Sequence, residues 1–151
     1  MNVNMGSTVR TQAAVYVRYQ AAQPGRTGLR SGVFGLVNGL YRRGLLTAGQ
    51  TAFHRAGNDW YNANMIDPGR AAPEVYDKTL HPRAVAWFKE SAVEMIERVA
   101  GYLEILDAHG VAWELVRSRD PGRILYEDVY QVIAEPVFEG VVADSPRRPR
   151  G

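Results

Sequence analysis

Apolar side chains recur along this chain with two periods, and the changes between them mark out its elements. From Ala13 to Gln20 the period is two. Val15, Val17 and Tyr19 point one way and Tyr16 and Arg18 the other, as in a half-buried strand. The turn-rich stretch AAQPGRTGLRSG follows. From Ser31 the period lengthens, and Val33, Leu36, Val37 and Leu40 share one face of a short helix that Gly44 can close. Gly35 and Gly39 lie inside it, each about 0.8–1 kcal/mol worse than alanine in a helix interior; close packing against a neighbouring backbone would explain them.

Thr47-Ala48-Gly49-Gln50 has the form of a capping box and predicts a second helix to Asn64, with Phe53, Ala56 and Trp60 turned inward. The next segment, 66–83, carries Pro68, Pro73 and Pro82 and no clear period. Segments of that length without structure of their own are uncommon in compact domains, so it reads as a lid or binding segment. The longest helical pattern runs from Pro82 to His109, where Val85, Phe88, Ala92, Ile96, Val99, Leu103 and Leu106 recur at spacings of three and four. Pro82 suits its first turn and Gly110 its left-handed close. Trp87 and Ile105 stand off that stripe and suggest a second packing surface, against the 66–83 segment or another subunit. Beyond it, Trp113 to Ser118 reads as a strand and Asp120-Pro121-Gly122-Arg123 as the turn of a hairpin. Ile124 to Ile133 would be the returning strand, apolar on both faces and therefore central.

The predicted fold is α+β: a small antiparallel or mixed sheet, made of the N-terminal strand and a C-terminal hairpin, packed against a long central helix and two shorter helices. Residues 1–10 read as a flexible leader, 11–140 as a single domain and 141–151 as a disordered basic tail. The absence of cysteine excludes disulfides, thiolate catalysis and cysteine-ligated zinc or iron–sulfur clusters. No run approaches the roughly 18–20 apolar residues of a membrane helix, and the N-terminus lacks the order of a signal peptide. A soluble cytoplasmic protein without a membrane partner or cofactor is expected.

Charge changes this picture more than composition does. Before Asp59 there is no acid, only Arg10, Arg18, Arg26, Arg30, Arg42, Arg43 and Arg55; all 16 acids follow, against eight Lys or Arg up to Asp144. Either the basic third is neutralised within the fold, or it meets an anionic partner. Three constellations bear on the choice. GRTGLRSGVFG precedes a predicted helix, where Arg26 and Arg30 would offer bidentate donors to a phosphate or carboxylate, although neither GxGxxG nor the P-loop spacing is present. On the second helix, His54 and Asn58 share a face beside Arg55, Asp59 and Asn62, and could hold a water or a substrate. On the last strand Asp128 lies between Tyr126 and Tyr130; it needs a partner, for which Arg18 is the proposal, or forms a ligand wall with the two tyrosines. His81 and His109 fall at the ends of the long helix, as caps.

These residues support a non-enzymatic binding or accessory protein that recognises a small anionic molecule or an acidic protein surface. Arg26, Arg30, Asn58, Asp59, Tyr126 and Tyr130 are its candidate ligand contacts. The alternative is a small transferase or hydrolase acting on a nucleotide-like or phosphorylated substrate, with His54 or Asp128 as base. No metal site is predicted: HExxH is absent, and the histidines are too few and too scattered for ligand spacing. Nucleic acid is the weaker choice of partner because the net charge is only +2. A homodimer is compatible with the sequence.

Overall fold

The computed structural model describes residues 14–137; the leader at 1–10 and the tail at 141–151 lie outside them. In chain order the elements are β1 (Tyr16–Ala21), α1 (Val33–Arg42), α2 (Ala48–Asn64), the four-residue α3 (Pro68–Ala71) and a 3₁₀ turn at Pro73–Tyr76. Then come β2 (Val85–Lys89), α4 (Val93–Glu97), α5 (Ala100–Ala108), β3 (Trp113–Ser118), β4 (Arg123–Glu127) and β5 (Gln131–Glu135). The fold is α+β, and its sheet is antiparallel throughout, in the order β3-β1-β2-β5-β4.

The expected long helix is divided. Its first part, Val85–Lys89, is β2, in the middle of the sheet. Val85, Trp87 and Phe88 suit a pleated surface as well as a helix, and the ladders to β1 and β5 decide between them. Helix resumes at Val93, passes a turn at Arg98 and Val99, and ends where Gly110 takes φ +68°. Trp87 is thus a strand residue, and Ile105 belongs to the core rather than to a second surface.

The expected hairpin is also rearranged. β3 and β4 stand at the two ends of the strand order, and the C-terminal hairpin joins β4 to β5 instead. Asp128, Val129 and Tyr130 form its turn, so Ile124 to Ile133 is two strands, of which β4 is an edge. A flat sheet would separate its end strands by about 19 Å, whereas the link from Ser118 to Arg123 spans at most about 18 Å when fully extended. Since Gly122 turns at φ +121° within that link, the sheet must curl.

The local signals nearer the N-terminus stand as read. Thr47 Oγ1 accepts from Gln50 N at 3.1 Å while Gln50 Oε1 accepts from Thr47 N at 2.9 Å, and Gly44 closes α1 at φ +71°. The core forms where α1 meets α5: Val33, Val37 and Leu40 pack with Val99, Tyr102, Ile105 and Leu106. Gly35 and Gly39 are not in a close helix contact; no neighbour lies within 4 Å of a Cβ built at Gly35, and only the Arg43 side chain touches one at Gly39. The close approaches use other glycines. A Cβ at Gly57 would lie 2.5 Å from Tyr102 Oη, and one at Gly101 would strike the Phe53 ring. On α2 the buried face is rotated from the expected one: His54 is buried and Asn58, Trp60 and Tyr61 are half-buried, while Ala56 is exposed and Phe53 keeps 37% exposure with its ring against Tyr102. Among the described residues no helix is long and apolar enough to cross a membrane.

Candidate functional site

β1 and β2 pair only at Tyr16 with Lys89 and Val17 with Phe88, and then part. Beyond that point the edge of β1 is met by Gly32, through a bridge to Gln20, immediately before α1. Sequence explains the parting. Arg18 follows Val17, and its guanidinium fills the wedge: Nη1 donates to Ala86 O and Nη2 to Arg30 O, both at 2.9 Å, while Nε donates to Gln20 Oε1 at 3.0 Å. Over this gap lies a cavity of about 370 Å³, floored by β1 and β2 and roofed by α1 and α2.

Its wall is aromatic. Tyr19 from β1, Phe88 from β2, Phe34 from α1 and Tyr61 from α2 contribute rings, and Asn38, Asn58 and Gln131 contribute amides. Phe34 meets Tyr61 and Phe88 edge to face, with centroids 5.1 and 6.3 Å apart, the geometry that ring quadrupoles favour. The Tyr61 hydroxyl is committed to Met95 O at 2.6 Å, and burial raises its pKa well above that of a free phenol. It is a fixed neutral group, not a base.

Among the described residues Arg18 is the one charged residue lining this cavity. Burial lowers its pKa to about 10, partly opposed by the Tyr76 hydroxyl, so it stays cationic at neutral pH. Its partners among the described residues are neutral oxygens, which use three of a guanidinium's five N–H donors. The nearest acid in the network, Glu114, accepts from Gln20 Nε2 at 2.7 Å rather than from the guanidinium. The first turn of α1, whose N-cap Gly32 has no side-chain cap, lies against the same guanidinium and adds positive potential. Among the described residues no carboxylate pairs with the guanidinium.

A polar cluster borders the cavity under α2. His54 Nε2 lies 2.7 Å from Asn38 Oδ1 and 3.1 Å from Asn58 Nδ2, so its tautomer decides which bond is made. Asn58 Oδ1 in turn accepts from Tyr102 Oη at 2.8 Å, and Tyr41 stacks on the imidazole. Burial, and then the charge of Arg55, lower the His54 pKa below 6.5. An unfolded chain therefore binds this proton more readily than the folded one, and stability is full above pH 6.5 and falls as pH drops toward the folded pKa. The expected result is a melting temperature that declines between pH 7 and 5 more steeply in the wild type than in His54→Gln; parallel curves would remove His54 as the cause.

The other predicted site residues lie elsewhere. Asp128 does not pair with Arg18. Its Oδ1 accepts from Tyr130 N and Gln131 N and its Oδ2 from Tyr126 Oη and Gln131 Nε2. Burial raises its pKa, but these hydrogen bonds outweigh that and hold it below the usual carboxylate range. It is the knot of the β4–β5 turn, and its carboxylate is fully occupied. Tyr126 lies on β4 and Tyr130 in the turn, and neither lines the cavity. Arg30 donates to Ala22 O, bracing the loop before α1, and Arg26 is exposed on the same loop. Asp59 lies with His54 and Arg55 on a shallow outer cleft of α2. Of the named ligand contacts, Asn58 alone reaches the cavity.

Sequence reasoning missed Arg18 as a site residue, assigning it to an ion pair. The legible signal was an arginine inside an otherwise apolar and aromatic strand, remote in sequence from any acid. Among the described residues the ion pairs His81–Glu135, Lys89–Glu127, Arg117–Glu90 and Arg123–Glu135 all lie after position 80. No three His, Asp or Glu side chains among the described residues come together as a metal site. Comparison of the chain with protein-family models, with curated proteins and with solved structures finds no match.

Proposed function

We propose that the protein is a non-enzymatic, cytoplasmic binding protein for a small anionic molecule, held in the cavity between the sheet and α1 and α2 with Arg18 as its anion receptor. One observation carries the reading: among the described residues the only charged group on the cavity wall is a half-buried guanidinium without a carboxylate partner. Burying an unpaired charge is costly unless something compensates it, and a ligand carboxylate or similar group supplies that compensation. The cavity has the size and apolar character of a small-molecule site. Its polar groups hold and orient. None is a base with a free proton acceptor next to a nucleophile, and Asp128 is too firmly bonded to act as one.

The test is a fluorescence titration with 8-anilinonaphthalene-1-sulfonate, an apolar anion. Saturable one-to-one binding is expected, weakened about tenfold or more in Arg18→Met, because a charge-assisted hydrogen bond contributes about 1.5–3 kcal/mol. Equal affinity of the wild type and a folded Arg18→Met variant would sink the assignment.

A further inference from the structure

Resting on that reading of the cavity, we infer that its ligand is a planar aromatic monocarboxylate, rather than a phosphate ester or nucleotide. Three observations narrow the class. First, charge: Arg18 brings one positive charge to the wall and, among the described residues, no second cation joins it. A phosphate monoester carries roughly −1.5 to −2 at neutral pH, so part of its charge would be left unbalanced among aromatic rings. A carboxylate balances the guanidinium one to one.

Second, shape: the body of the ligand lies among Tyr19, Phe34, Tyr61 and Phe88. Tyr61 and Phe88 are nearly parallel, at 29° and 6.5 Å between centroids, while Phe34 is turned edge-on to both. Flat rings gain offset-stacked and edge-to-face contacts on such a wall. A ribose or a flexible polar chain gains neither.

Third, donors: a carboxylate presents two acceptor oxygens and suits a guanidinium that still has N–H groups to give. The amides of Asn38, Asn58 and Gln131 leave room for a ring substituent such as a hydroxyl, but they add no charge.

The experiment compares three ligands that share one ring system, 2-naphthoate, 2-naphthamide and 2-naphthyl phosphate, by isothermal titration calorimetry against the wild type, Arg18→Lys and Arg18→Met. The expected result is naphthoate binding to the wild type about tenfold or more tighter than either of the others. Arg18→Lys should lose part of that preference, since an ammonium lacks the planar fork, and Arg18→Met should lose all of it. The wild-type ranking needs no variant to fold. Phosphate binding as tightly as naphthoate would overturn the monocarboxylate assignment while leaving an anion site. Amide binding as tightly would remove charge recognition altogether. If no naphthyl compound binds while 8-anilinonaphthalene-1-sulfonate does, the ligand class falls and the cavity stands; if neither binds, both fall.

Discussion

Tyr102→Ala is expected to remove about 3–5 kcal/mol of folding stability, the range for truncating a large buried aromatic ring. Tyr102 is 1% exposed, and its ring sits 4.8 Å from Phe34, 5.2 Å from Phe53 and 6.1 Å from Tyr61, between centroids. Few residues join so many elements: Tyr102 ties α5 to α1 through Phe34 and to α2 through Phe53 and Asn58. Its hydroxyl matters separately. Burial pushes its pKa up to about 12, and it donates to Asn58 Oδ1, which is half of the bonding that keeps the Asn38–His54–Asn58 cluster in place. Tyr102→Phe keeps the ring and should lose only about 0.5–1.5 kcal/mol. Urea denaturation of the two variants separates the terms. A Tyr102→Ala loss no larger than that of Tyr102→Phe would mean that the ring packs loosely, and that the roof of the cavity is not held from this side.

What could be read from the sequence was local. The Thr47–Gln50 box is complete within four residues, so it forms where it was expected, and α2 runs to Asn64 as predicted. Trp113–Ser118 has alternation enough to be a strand wherever it pairs. Partners were not legible. Val85–Lys89 satisfies a helical stripe and a strand equally well, and only a vacant place between β1 and β5 makes it β2. Asp128 looked like a carboxylate on a sheet face, because nothing in the spacing shows that the chain turns at Val129. Arg18 follows the same rule: its role is set by the divergence of two strands far apart in sequence, and by what lies across the gap. The aromatic residues of the cavity wall were individually visible, but no periodicity gathers Phe34, Tyr61 and Phe88 around one space.

The glycines turn this difference into a measurement with opposite signs. Spacing within a helix draws attention to Gly35, yet a Cβ there meets nothing. Gly35→Ala should therefore raise stability by about 0.4–1 kcal/mol, mainly by restricting the unfolded chain. Gly57 lies on the longer α2, where the same gain in helix propensity is available, but its Cβ would stand 2.5 Å from Tyr102 Oη and 3.1 Å from Cζ. Tyr102 is buried and cannot swing aside, and pushing it back breaks its bond to Asn58. Overpacking of this kind costs about 1–3 kcal/mol, which outweighs the propensity gain, so Gly57→Ala is expected to destabilise. Gly101 is a milder case. The Phe53 ring that a Cβ there would strike is 37% exposed and can rotate toward solvent. Paired urea midpoints for Gly35→Ala and Gly57→Ala decide the matter: shifts in opposite directions support a tight α2–α5 contact at Tyr102, whereas a Gly57→Ala protein as stable as the wild type would show that α2 stands farther from α5. In that event the cavity roof would be free to move, and the ligand selectivity assigned to its fixed rings would weaken with it.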